Sequence, residues 1–234
     1  MRTNGFASIP LVTKNLLIIN VLVFFLTKFL ASKYDLESVL NMHYVQSSNF
    51  RPHQFITHMF MHASIGHLLG NMLGVWVFGS MLENVWGPKR FLIFYLVTGL
   101  GACLCDQIYL FFSNYSVLSE LKNIYNTTSN TVIATEAFES MQRVKDYYVM
   151  LGASGAVYGL LMGAALLFPN TQINIYMVIP VKIKYLAVLY GISEVFLAIQ
   201  ANPGDSVAHL VHLGGMVFSF LMIQIWRKDR SKFF

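Results

Sequence analysis

The stretch Gly152-Ala153-Ser154-Gly155-Ala156-Val157-Tyr158-Gly159 lies inside a run of residues apolar enough to lie in a membrane. A hydroxyl group within a bilayer is costly, and polar groups placed there tend to mark function. The small residues that flank Ser154 leave its hydroxyl open to attack a carbonyl group. A structural alternative is a hydrogen bond back to the carbonyl four residues earlier in the helix. The stretch therefore predicts a membrane helix that carries a candidate nucleophile.

The composition of the whole chain is typical of a membrane protein. Of its 234 residues, 56% are hydrophobic and only 12% are charged, whereas a soluble domain is about 45–50% apolar and about 25% charged. The apolar residues fall into runs of about 20, the length that crosses about 30 Å of hydrocarbon. We predict one all-α membrane domain with six spans, at about 13–31, 57–79, 90–112, 150–168, 183–200 and 207–226.

Basic residues predict the orientation of the chain. Ten Lys and Arg residues lie next to spans on one side of the membrane and six lie on the other side, where acidic residues offset their charge. Because Lys and Arg are enriched in cytoplasmic loops, both termini are expected in the cytoplasm. The chain then divides into an N-terminal tail at 1–12, the membrane domain at 13–226 and a basic tail at 227–234. The net charge of +5 reflects this asymmetry and requires no nucleic-acid partner.

Two further patterns concern the outer loop and the glycines. In the loop at 113–149, Asn123–Asn130 is typical of a flexible or turn-rich segment, and residues 135–148 can form a short amphipathic helix. Glycines recur every four residues in two spans, where they predict close helix packing. They are Gly66, Gly70 and Gly74 in the second span and Gly155, Gly159 and Gly163 in the fourth.

A candidate general base lies in the sixth span. His212 is expected at a membrane depth similar to that of Ser154, where a neutral imidazole can take the proton of a serine. Gly215 would let the sixth span close against the fourth, and Tyr158 shares a helix face with Ser154, where its ring could pack on an imidazole. His209 is expected to be solvated or structural. No acidic residue has an evident place beside His212, since Glu194 is expected to reach the outer interface, so a Ser–His dyad is predicted.

The second span contains two side chains that could stabilise an oxyanion. His67 and Asn71 are four residues apart and lie on one helix face, where both could donate to the oxygen of an attacked amide. His58 and His62 share the same spacing, but they lack the glutamate of the zinc motif H-E-x-x-H and an evident third ligand. No metal and no cofactor are expected.

Together these pieces resemble the rhomboid family of intramembrane serine proteases, from about residue 50 to residue 220. The matching elements keep the family's order along the chain: His67 with Asn71, Glu83-Asn84-Val85-Trp86-Gly87, Gly152-Ala153-Ser154-Gly155 with Tyr158, and His212 with Gly215. The resemblance implies that Ser154 is the nucleophile and His212 the general base and acid. It also implies an oxyanion hole formed by His67, Asn71 and the backbone amide of Ser154, with Tyr158 packed under His212.

The resemblance further implies a six-helix bundle with a water-filled cavity, which cleaves transmembrane segments of membrane proteins near the extracytoplasmic face. Its partners would be transmembrane substrates and the lipid bilayer. The chain has no evident organelle-targeting segment, which favours a bacterial inner membrane. Two alternatives are an inactive relative that binds membrane helices and a transporter with intramembrane ionisable residues. Both Ser154 and His212 are present, and we find no inverted repeat, which favours the protease.

Overall fold

The computed structural model describes residues 9–175, 178–200 and 209–228. Most of the predicted tails at 1–12 and 227–234 therefore lie outside the described residues. The helices are α1 Leu11–Leu30, α2 Leu36–Leu40, α3 Gln54–Thr57, α4 Ile65–Gly74, α5 Ser80–Thr127, α6 Thr131–Asp146, α7 Ser154–Leu167, α8 Ile183–Gln200 and α9 His209–Lys228. A 3₁₀ turn at His58–Phe60 and a π-helical turn at Val75–Gly79 flank α4. The strands are β1 Met42–His43, β2 Val149–Met150, β3 Gln172–Ile175 and β4 Ile179–Lys182, paired β1 with β2 and β3 with β4, both antiparallel.

Apolar helices confirm a helical membrane protein. Four segments of the described chain are long and apolar enough to cross a bilayer: Leu11–Leu30, 65–127, Ile183–Gln200 and His209–Arg227. The shorter helix α7 is also apolar. Within 65–127 the backbone leaves the helical conformation at Gly87, which has a φ of 74° and precedes Pro88. This break lies between the predicted second and third spans, while the count of six spans and the orientation of the termini stay predictions.

Glu83 has a structural role at the start of α1. The buried carboxylate of Glu83 accepts hydrogen bonds from the backbone amides of Val12 and Thr13, at 2.9 and 2.7 Å, and from the Thr13 hydroxyl at 2.8 Å. The first amides of a helix lack acceptors within the helix, and the helix dipole favours a negative charge there. Glu83 therefore fixes the start of α1 against the beginning of α5.

The segment between the third and fourth predicted spans is more ordered than the sequence indicated. Asn123–Asn130 was expected to be turn-rich, but α5 continues to Thr127, so that expectation was wrong for most of the segment. The side chain of Asn130 caps α6, and the Tyr125 ring packs 6.0 Å from the Phe138 ring. The amphipathic helix expected at 135–148 is confirmed as α6, with an earlier start. Packing between α5 and α6 extends the helix where local polarity suggested a loop.

Glycine packing follows the prediction in α7 and at Gly74 of α4, and departs from it at Gly66 and Gly70. A Cβ atom added at Gly159 would lie 2.6 Å from Thr98, so α7 and α5 approach closely there. In α4, a Cβ at Gly74 would overlap Val157 of α7. At Gly70 no atom lies within 4 Å of the added Cβ, so the expected close packing is absent at this position. Close packing is also absent at Gly66, where the nearest contact of an added Cβ would be Oγ of Ser64 at 3.9 Å.

Candidate active site

The candidate nucleophile is the first residue of a helix. Strand β2 ends at Met150, and Gly152 then adopts a φ of 119°, a left-handed conformation that favours glycine, while its amide donates to the carbonyl of His58 at 2.9 Å. Helix α7 begins at Ser154, four residues after the start of the predicted span at 150–168. The amides of a first helical turn lack acceptors within the helix, and the helix dipole favours negative charge near them.

The structure brings Ser154 and His212 together. Nε2 of His212 lies 2.9 Å from Oγ of Ser154, within hydrogen-bond distance, although the residues are 58 positions apart. The approach of α7 and α9 depends on Gly215, since a Cβ there would overlap the carbonyl group of Gly155. The expectation that Gly215 lets the two helices close is therefore confirmed. His212 is buried and Ser154 is half-buried.

The ring of Tyr158 stacks on the imidazole of His212. The two centroids are 4.1 Å apart and the ring planes differ by 4°. Tyr158 lies one turn after Ser154 on α7, as its spacing predicted. The stack limits rotation of the imidazole and keeps one ring edge directed at Ser154.

Helix α4 brings two polar side chains beside the Gly152 turn. The Ser64 hydroxyl caps this helix by accepting from the amide of His67 at 3.1 Å. A Cβ added at Gly152 would come 2.8 Å from Nε2 of His67 and 3.7 Å from Nδ2 of Asn71. Within the described part of the chain, Nδ2 of Asn71 is buried and has no hydrogen-bond partner. A buried donor without a partner is unusual and calls for an explanation, which an oxyanion at Ser154 can supply.

The structure adds a carboxylate that the sequence analysis missed. Glu194 was expected at the outer interface, but it is only 5% exposed, and its Oε1 lies 3.0 Å from Nδ1 of His212. Its Oε2 lies 2.5 Å from Nδ1 of His209, and the Tyr158 hydroxyl donates to Oε1. The expectation that no carboxylate reaches His212 was therefore wrong. The sequence did contain a signal for this contact. An acidic side chain within an apolar span needs a polar partner, and the next span contains two histidines that could serve as partners.

Two other histidines, His209 and His58, have hydrogen-bond partners of their own. His209 is buried and paired with Glu194, so the structural alternative for it is confirmed. Glu194, His209 and His212 are also the one cluster among the described residues with the donor atoms for a metal ion, all within 4.8 Å of one another. Nδ1 of His58 donates to the carbonyl of Gln54 at 2.7 Å, at the end of α3.

Comparisons with known proteins agree with this architecture. A sequence model of the rhomboid domain matches residues 49–228. RHOMBOID-like protein 12, mitochondrial, of Arabidopsis thaliana is 26% identical over 203 residues, which cover 86% of this chain and 55% of the relative. RHOMBOID-like protein 6, mitochondrial, of the same plant is 30% identical over 169 residues, or 72% of this chain and 42% of the relative.

A bacterial relative carries the word protease in its name. Rhomboid protease AarA of Providencia stuartii is 27% identical over 168 residues, which cover 70% of this chain and 52% of the relative. The chain spans about half the length of these three relatives. Since the rhomboid domain matches most of the chain and the described helices are those of a multi-pass membrane protein, the chain belongs to the rhomboid family.

Proposed function

We propose that this protein is an intramembrane serine endopeptidase that cleaves transmembrane segments of other membrane proteins near the extracytoplasmic face. The observation that carries the proposal is the 2.9 Å separation of Ser154 Oγ and His212 Nε2, at the start of an apolar helix. A serine hydroxyl is a weak nucleophile until a neighbouring base takes its proton, and an imidazole at this distance can do so.

The proposed reaction has two stages. Oγ of Ser154 attacks the carbonyl carbon of the scissile peptide bond while His212 accepts the hydroxyl proton, and His212 then gives that proton to the leaving amine. The resulting ester is attacked by water, whose proton passes to His212 and then back to Ser154. One water molecule is consumed and one peptide bond is broken, so the site requires access to water.

Three hydrogen-bond donors are proposed to stabilise the negative charge that forms on the attacked oxygen. They are the side chains of His67 and Asn71 and the backbone amide of Ser154. The proposal is supported by the position of both side chains against Gly152 and by the buried Asn71 amide, which has no partner among the described residues. Removing one such donor typically lowers kcat by about 10²–10³-fold.

Substrate and topology follow from the same proposal. A transmembrane helix shields its carbonyls by hydrogen bonds, so the substrate must unwind locally, and Gly, Pro or polar residues near its outer boundary would favour this. We assign both termini to the cytoplasm, with six spans in a membrane domain at 13–226 between tails at 1–12 and 227–234, and place the protein in a bacterial inner membrane.

Covalent labelling of Ser154 tests the proposal. The purified full chain in detergent and in liposomes is treated with a fluorophosphonate probe and, separately, given a fluorescent transmembrane substrate. We expect Ser154→Ala and His212→Ala to abolish cleavage without unfolding the protein. Ser219→Ala is a matched control, because Ser219 is a fully buried serine on α9, and it should be labelled like the wild type. Equal labelling of the Ser154→Ala variant, or a wild type that binds membrane helices without any labelling, would contradict the proposal.

A further inference from the structure

We propose that Glu194 is a positioning residue that holds His212 in the orientation and tautomer needed to take the Ser154 proton. The inference rests on the proposed function and adds a third residue, from α8, to the proposed pair. It assigns a specific task to a buried carboxylate in an apolar helix.

The two nitrogens of His212 face different partners. Nδ1 lies 3.0 Å from Oε1 of Glu194, and Nε2 lies 2.9 Å from Oγ of Ser154. The contact between Nδ1 and Oε1 has the length but not the alignment of a hydrogen bond. A neutral imidazole carries one proton, and a negative charge at this distance favours the tautomer with that proton on Nδ1. The lone pair of Nε2 then points to the serine hydroxyl. The same negative charge stabilises the imidazolium that forms when His212 accepts the proton, as the carboxylate does in soluble triads.

Glu194 is itself held from three sides. His209 lies 2.5 Å from its Oε2, the Tyr158 hydroxyl donates to its Oε1, and His212 completes the set. A carboxylate in a membrane helix is expensive unless it is paired in this way. Tyr158 consequently fixes His212 twice, by stacking on its ring and by anchoring the carboxylate that faces it.

The surface of α8 shows that Glu194 is turned inward. Its neighbours Val195 and Phe196 are 46% and 59% exposed, whereas Glu194 is 5% exposed. In the part of α8 that follows Ala187, Glu194 is the one buried residue among those described. The apolar side chains are therefore exposed, as a surface in contact with lipid requires, whereas the acidic side chain faces Tyr158 of α7 and the two histidines of α9.

The central experiment compares Glu194→Gln with the wild type. The amide keeps the size of the side chain but loses the charge, and its NH₂ group cannot accept from a histidine N–H. In soluble triads the equivalent change lowers kcat by about 10⁴-fold. Because the Tyr158 stack still orients the ring here, we expect a loss in kcat on the order of 10²-fold, within the range of general acid–base effects. KM should stay near the wild-type value, and the fluorophosphonate labelling rate should fall with kcat.

Two more variants separate positioning from structure. Asp106→Asn is the matched control, since Asp106 is a buried acid on α5 that accepts from the Tyr148 hydroxyl, and its kcat should remain near that of the wild type. Tyr158→Phe keeps the ring stack and loses the hydroxyl bond to Glu194, so it should lower kcat by about threefold to tenfold. This variant tests the inference if Glu194→Gln does not fold. Thermal unfolding identifies variants that are folded at the assay temperature.

Each outcome has a defined meaning. A wild-type kcat in folded Glu194→Gln, or in Tyr158→Phe where the first variant does not fold, overturns the inference and leaves the proposed function intact. A loss that appears only in KM does the same. Activity that a chelator removes and Zn²⁺ restores would instead assign Glu194, His209 and His212 to a metal site. A wild type that is not labelled at Ser154 overturns both the proposed function and the inference.

Discussion

Replacing Gly215 with alanine should separate the proposed base from the proposed nucleophile. A Cβ atom at this position would overlap the carbonyl oxygen of Gly155 and lie 2.8 Å from its carbonyl carbon. Ordinary contact between carbon atoms begins at about 3.5 Å, so α9 and α7 must move apart by roughly 0.7 Å to relieve the contact with the carbonyl carbon. The overlap with the carbonyl oxygen requires a larger movement. Neither contact is with a flexible side chain that could rotate away.

The movement acts directly on the Ser154–His212 hydrogen bond. Gly155 follows Ser154 in the chain, and Gly215 lies almost one turn after His212 on α9. A separation of this size takes the 2.9 Å distance to the limit of a hydrogen bond. A displacement of about 1 Å can cost about 10²-fold in rate. We therefore expect Gly215→Ala to lower kcat by about 10²-fold.

The assay measures kcat for a transmembrane substrate in liposomes together with the thermal unfolding midpoint in detergent. Gly70→Ala is the matched control, because no atom lies within 4 Å of the added Cβ. Alanine in the helix should stabilise that variant by about 0.5–1 kcal/mol and leave its kcat unchanged. Gly215→Ala with wild-type kcat and an unchanged unfolding midpoint would refute the reasoning from helix separation.

Three further substitutions have distinct expected effects. Gly152→Ala places a side chain at a φ of 119° and 2.8 Å from the His67 ring, so it should abolish fluorophosphonate labelling, measured on folded protein in detergent. Glu83→Ala removes the acceptor of three hydrogen bonds at the start of α1 and should lower the free energy of unfolding by about 2–4 kcal/mol in a denaturant titration, with kcat unchanged below the transition. Asn71→Ala should lower kcat by about 10²–10³-fold without lowering the thermal unfolding midpoint, and a wild-type rate would remove Asn71 from the oxyanion hole.

Most of the helical framework follows from hydropathy and from backbone-breaking residues. The first span, expected at 13–31, is α1 at Leu11–Leu30, and the fifth coincides with α8 at Ile183–Gln200. A long apolar run forms a helix in a bilayer, because every backbone amide and carbonyl group must find its hydrogen-bond partner within the segment. The start of α7 was missed because it depends on the β2 strand pairing with β1 and on the φ of Gly152, which hydropathy does not report.

The candidate site was predictable where its residues lie in local patterns and unpredictable where it depends on helix rotation. Ser154 and His212 stand out because each is a polar group beside glycines in an apolar run. Glu194 does not, since α8 is apolar on nearly all sides and its sequence does not specify which face meets α9. A rotation by one residue, about 100°, would turn Glu194 to a different surface. Its role becomes visible only from the distances to His209 and His212.

Two buried polar groups show how stability and rate separate in this molecule. Glu83 satisfies donors that would otherwise be unbonded, so its removal should cost stability and leave the chemistry unchanged. Nδ2 of Asn71 is buried without a partner among the described residues, which costs free energy in the resting protein. On the proposed mechanism, this donor forms a hydrogen bond only when the oxyanion forms. The free energy of burying it is then part of the stability of the resting protein, and the donor needs no reorganisation during the reaction. Substitution of Asn71 should therefore slow the reaction while leaving the fold as stable as before, or more so.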